Sequence, residues 1–134
     1  MKNLSKFICI SILLLIVISG CNKEELTSQK MLEAKWIITS LEILATTTPG
    51  NGSYLIFNSC SSPCTGVDYS ASDSTSGTFT YVLNDDATQI VITDTMNAGG
   101  NYNFTWDILD LTTSQFKITT STLLGNLKIV MSKE

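Results

Sequence analysis

The 134-residue chain contains no histidine and no arginine. The first absence excludes Ser-His-Asp and Cys-His catalytic arrangements, and with them zinc or iron sites built on imidazole. The second leaves Lys30, Lys35, Lys117, Lys128 or backbone groups to clamp a phosphate or oxyanion. Beyond Cys21 no apolar run approaches the ~20 residues that a membrane-spanning helix needs. Paired carboxylates remain as acid and base candidates. Asp85 with Asp86 sits in a predicted tight turn, however, and Asp107 with Asp110 flanks another, so both pairs read as solvated turn chemistry. No catalytic residue, metal site or cofactor is assigned, and the reading is non-enzymatic.

What is present begins at the amino terminus. Lys2 and Lys6 precede an apolar stretch from Phe7 to Ile18, and small residues follow before Cys21. A charged start, a short apolar centre and a small-residue exit are the layout of a secretory signal peptide. The exit Ile18-Ser19-Gly20-Cys21 resembles the lipobox of bacterial lipoproteins. That resemblance implies cleavage before Cys21 and a diacylglyceryl group on its thiol; the alternative is an ordinary signal peptide with an incidental cysteine. Two or three acyl chains hold a protein to a bilayer essentially permanently, at ~0.8 kcal/mol per buried methylene. The expected organisation is a signal peptide over 1–20, a lipidated cysteine and tether over 21–31, and one domain over 32–134. Lys23-Glu24-Glu25 is similar to the Lys-acid-acid export signal of Bacteroidetes lipoproteins, which implies the outer face of the outer membrane; a merely solvated tether is the other reading.

Removing the first 20 of 134 residues leaves 114, enough for one ordinary domain. Two of the eight lysines leave with it, so six face twelve acids and the net charge is −6. Such a domain lacks the cationic surface that nucleic acid requires. Anionic lipid is equally unsuited, so membrane contact is expected through the lipid alone.

A short helix is expected within Glu24–Glu33. From Trp36 the chain breaks into short runs rich in Thr, Ile, Val, Phe and Tyr, separated by Gly, Asn, Asp and Ser. Strands are expected at 35–45, 53–59, 65–70, 77–83, 88–94, 101–109, 115–121 and 125–132. Phe79, Tyr81 and Leu83 alternate with polar or outward positions, as do Tyr102, Phe104, Trp106 and Ile108, and Leu127, Ile129 and Met131. "LNDDATQ" and "DLTTSQ" read as turns, with Asn84, Asp85 and Asp86 suited to left-handed backbone. About eight antiparallel strands must close on themselves or stack as two sheets.

Trp36 in "EAKWIITSLE", the "GTFTYVLNDDATQIVITD" hairpin and the closing "FTWDILDLTTSQFKIT…LKIVMSK" resemble the small lipocalin-like lipoproteins of Bacteroidetes. That resemblance implies an all-β, up-and-down antiparallel barrel with Trp36 at its closed end; a two-sheet sandwich is the alternative. The family's glycine before the tryptophan is replaced here, since Ala34 and Lys35 precede Trp36.

Cys60 and Cys64 are the thiols left once Cys9 departs and Cys21 is lipidated, and in an exported setting they read as a disulfide. The five-residue loop it closes is worth ~2 kcal/mol. "DYSASDSTSG", residues 68–77, places Asp68 and Asp73 among hydroxyls but fails the calcium-loop spacing, and it is expected as a flexible polar loop. Asp73-Ser74-Thr75 and Asp94-Thr95-Met96 are similar to the Asp-Ser/Thr-X signal for O-glycosylation of exported Bacteroidetes proteins, which singles out Ser74 and Thr95. Trp36, Phe57, Phe79, Tyr81, Tyr102, Phe104, Trp106 and Phe116 are expected to line a ligand cavity or to fill the core. A flexible mouth is expected at "TMNAGGNY", residues 95–102.

Two functions follow. In the first, as the resemblance implies, a lipid-anchored outer-membrane lipoprotein, surface-exposed if the export signal is used, binds a small apolar or amphipathic ligand. In the second, a filled barrel serves as a structural or interaction module of the envelope. No protein partner is readable in the sequence.

Overall fold

The computed structural model describes residues 27–94 and 102–134. The expectations for the signal peptide, Cys21, Lys23, Glu24, Glu25, Thr95 and the loop through Gly99-Gly100 lie outside those residues.

One short helix, α1 (Ser28–Leu32), precedes nine strands: β1 (Lys35–Ile43), β2 (Thr46–Pro49), β3 (Tyr54–Phe57), β4 (Cys64–Ser70), β5 (Thr75–Leu83), β6 (Gln89–Asp94), β7 (Thr105–Leu111), β8 (Gln115–Thr122) and β9 (Gly125–Lys133). All neighbours are antiparallel, and the sheet closes where β1 pairs with β9 from Trp36↔Lys133 to Ile43↔Leu127. This is the expected barrel rather than a two-sheet sandwich. It is eight-stranded because β2 and β3 share one position beside β1. Between Ile37↔Tyr54 and Ser40↔Pro49, β1 advances three residues while its partner advances five. The partner strand is thus broken, and β2 escaped the sequence reading because "TTTPGNG" has turn composition and no inward apolar residue.

Alternation selects the interior, and two bulges shift it. Trp36 and Ile38 face inward on β1, but the irregularity around Thr39 passes the inward role to Leu41 and Ile43, opposite Ile129 and Leu127. A second irregularity at Leu109 passes it from Ile108 to Leu111 on β7. Leu109 itself is exposed. The strand expected at 101–109 runs at 105–111, so Asp107 and Asp110 stand on β7, ahead of the turn to β8. Both are tied to neighbouring strands, Asp107 accepting from Gln89 and Asp110 pairing with Lys117.

Two turn expectations need correction. Residues 68–77 form no loose loop; β4 and β5 pair from Cys64↔Tyr81 to Ser70↔Thr75 around a four-residue turn. Asp73 holds that turn by accepting from Thr75 N and Oγ1, and the hydroxyls of Ser70 and Thr75 hold its carboxyl below the usual range. In "LNDDATQ" the left-handed residue is Ala87, not Asn84, Asp85 or Asp86. Asn84 instead accepts from Gln89 N, and Asp86 accepts from Thr88.

Candidate functional site

The two ends of the barrel differ, and the difference locates the site. At the end where β1 begins, the interior is full. Trp36, Phe57, Tyr81 and Phe116 are essentially inaccessible, with ring centroids 5.5 Å apart for Trp36–Phe116, 5.1 Å for Phe57–Tyr81 and 5.9 Å for Phe57–Phe116. Phe79 continues the stack at 5.3 Å from Phe57, lying over Gly66, where a Cβ would come within 2.1 Å of its ring. Edge-to-face contacts of this kind add ~1 kcal/mol beyond burial.

Helix α1 plugs this end. Thr27 caps it by accepting from Lys30 N, and the Trp36 indole N–H donates to Leu32 O at 2.8 Å. Gln29 donates to the Tyr81 hydroxyl, which in turn donates to Asn58 O, and Cys60 N donates to Glu33 Oε1. Cys60 and Cys64 form the expected disulfide, so the loop it closes is clipped to the plug through Glu33. Lys30 and the Cys60 N–H stabilise the charged form of Glu33 and bring it down to about 2. The helix therefore belongs to the folded domain, whose packed structure begins before the expected boundary at residue 32.

The opposite end is open. One cavity of about 500 Å³ has Ile38, Leu41, Leu127 and Ile129 on its apolar side and Asn51, Ser53, Ser72 and Tyr102 on its polar side. It lies at the break between β2 and β3, where Ser53 Oγ donates to Asn51 Oδ1 and accepts from Ala71 N of the β4–β5 turn. A second cavity of about 760 Å³ is lined by Ile43, Phe104, Ser121, Thr122, Leu123, Leu124 and Leu127. Ile43 and Leu127 border both. Each volume falls in the range of small-molecule sites.

Two hairpin tips form the rim. Leu44 and Ala45 both take positive φ, 52° and 61°, in the two-residue turn between β1 and β2. Leu44 stands 2.7 Å from where a Cβ of Gly125 would be, in the β8–β9 turn. Leu44, Leu123 and Leu124 are 67%, 107% and 74% exposed, a concentration of bare leucine that no fold requirement explains.

Of the aromatic residues expected to line a cavity or fill the core, Trp36, Phe57, Phe79, Tyr81, Trp106 and Phe116 are core. Phe104 lies before β7, partly exposed, with its ring at 5.8 Å from Trp106, and borders the larger cavity. Tyr102 borders the smaller one; burial, with the Asp68 carboxylate nearby, pushes its phenol up to about 12, so it stays protonated. Ser74 is exposed at the tip of the β4–β5 turn with φ 56°. Leu41, Ile43, Asn51, Ser53, Ser72, Leu123 and Leu124 were not singled out by sequence, and Leu127 was read only as an inward strand position, although the "TLLG" tip, two leucines in a turn, was an available signal.

Among the described residues no group of three or more Cys, Asp or Glu could hold a metal ion, and no helix is long and apolar enough to cross a membrane. The closed barrel, its plug and its open mouth define a lipocalin-like architecture. A lipocalin-like protein from Bacteroides uniformis, known from its crystal structure, is similar at a TM-score of 0.54 and 16% identity, covering 78% of this chain and 99% of that one. That likeness concerns the fold. No protein-family model and no curated protein matches the chain.

Proposed function

We propose that this protein is a non-enzymatic, lipid-anchored envelope lipoprotein whose barrel takes up a small apolar or amphipathic molecule at its open end. The observation that carries this reading is the pair of adjoining cavities at that end, apolar on one side and hydroxyl-lined on the other. The aromatic core at the other end is fully buried, and these two cavities lie at the mouth. The lipid anchor is Cys21, with cleavage before it, and Lys23-Glu24-Glu25 serves export to the cell surface. Thr27 enters at the plugged end, so an anchor a few residues earlier leaves the mouth facing away from the bilayer. Ser74, exposed on the mouth side, is open to O-glycosylation.

Native mass spectrometry of the full chain purified from a native-like host tests the carrier role. A reproducible bound mass is expected. Bare protein that also refuses fatty acids and hydrophobic dyes would overturn it in favour of the interaction module. The exposed Leu44, Leu123 and Leu124 favour that second reading, since they would equally suit contact with a protein.

A further inference from the structure

Among the described residues the cavities are lined by oxygen and amide groups and by no charged side chain, and the described lysines are engaged elsewhere. Among the described lysines, Lys30 pairs with Glu33 at 2.8 Å, Lys35 with Glu134, Lys117 with Asp110 at 3.7 Å and Lys128 with Glu42 at 3.0 Å. Lys133 stands 5.9 Å over the Trp36 ring at the plugged end. Lys128 is nearest the mouth in register, but it alternates with the inward Leu127 and Ile129 and so projects from the outer wall. No arginine or histidine exists to take their place. The acidic side chains nearest the smaller cavity are Asp68, buried near Tyr102, and Asp73, which holds the turn that carries Ser72.

Resting on the carrier reading, we infer that the site selects amphiphiles with an uncharged, hydrogen-bonding head and discriminates against fatty-acid anions of the same chain length. The tail lies on Ile38, Leu41, Leu127 and Ile129, and the head meets Asn51, Ser53, Ser72 and the Tyr102 hydroxyl. Hydroxyl and ester oxygens of a glyceryl or sugar head can exchange hydrogen bonds with those groups in either direction. A carboxylate offers acceptors only, loses its hydration on entry, and finds no cation to replace it. A discrimination of tenfold or more is expected, because an uncompensated charge costs more than the ~1.4 kcal/mol that tenfold represents.

The test is a competition in one tube. The full chain, purified as a bacterial host processes it, is incubated at pH 8 with equimolar 1-monopalmitoylglycerol and palmitate, and the two bound forms are resolved by native mass spectrometry. The neutral lipid is expected to exceed palmitate at least tenfold. Ser72→Lys, which places a cation at the exposed edge of the smaller cavity, should raise the palmitate share of the bound lipid severalfold. Equal occupancy, a palmitate excess, or a ratio unmoved by Ser72→Lys would overturn the selectivity while leaving the carrier standing. Binding of neither lipid would overturn both.

Discussion

The plugged end and the open end of this barrel are made from the same alternating strands, yet they put different side chains at the same depth. One carries Trp36, Phe57, Tyr81 and Phe116, whose rings pack against one another across the interior; the other carries Ile43, Leu127, Thr122 and Ser53, which border the cavities. An eight-stranded barrel is just wide enough to be filled by large side chains or to hold one small ligand, so side-chain size at each level decides which occurs. The ends also differ in polar linkage. The plug is held by hydrogen bonds from Gln29 to Tyr81, from Cys60 N to Glu33 and from Trp36 to Leu32 O, whereas the rim presents leucine to solvent. The aromatic core and its hydrogen-bonded plug lie at one end, and the two cavities at the other.

The largest expected break in that contrast is Trp36→Ala. It removes the plug's ring and its hydrogen bond to Leu32, and should cost about 4 kcal/mol in urea unfolding. Gly66→Ala follows at about 2 kcal/mol, because its methyl group meets the Phe79 ring; pairing it with Phe79→Leu should cost less than the two changes summed.

Glu33→Gln should cost about 1 to 2 kcal/mol at neutral pH by removing a charged acceptor from Cys60 N and Lys30. Because the pKa of Glu33 is depressed when folded, its contribution is fully present above the ordinary value of 4.5 and fades as pH falls toward about 2. Thermal unfolding between pH 5 and pH 2, on the ordinary scale of carboxylate titration, should therefore bring wild type and Glu33→Gln together.

The smallest effect sharpens the comparison from the other side. Replacing Leu44-Ala45 by Asn-Gly relieves two positive-φ positions and should stabilise by about 1 kcal/mol while thinning the apolar rim. A carrier that uses the rim should lose ligand occupancy in the same variant.

Much of the architecture was legible in the sequence. Period-two alternation located the eight runs, and turn chemistry implied antiparallel neighbours. Trp36 lies at the closed end, as the family resemblance implied. The site was less legible. Alternation states that Phe57 and Leu127 both face inward, but whether the interior is filled at a given level depends on which side chains lie across from it. Alternation alone therefore left the aromatics open to either role, and Trp36, Phe57, Phe79, Tyr81, Trp106 and Phe116 fill the core. The bulges at Thr39 and Leu109 reverse parity within a strand and leave no clear mark in composition, so Leu41, Ile43 and Leu111 could not be placed. The break between β2 and β3 is longer-range still, since it depends on how far two strands advance past one another.

The central claim is that a ligand occupies the open end and not the packed end. Photolabelling of the full chain with a neutral alkyl glyceride bearing a diazirine at mid-chain tests it directly, with labelled positions read by peptide mass spectrometry. Label is expected on the segments containing Ile43, Leu124 and Leu127, and none on those containing Trp36, Phe57 or Phe116. Label concentrated on the latter, or labelling that excess unlabelled glyceride fails to compete away, would contradict it.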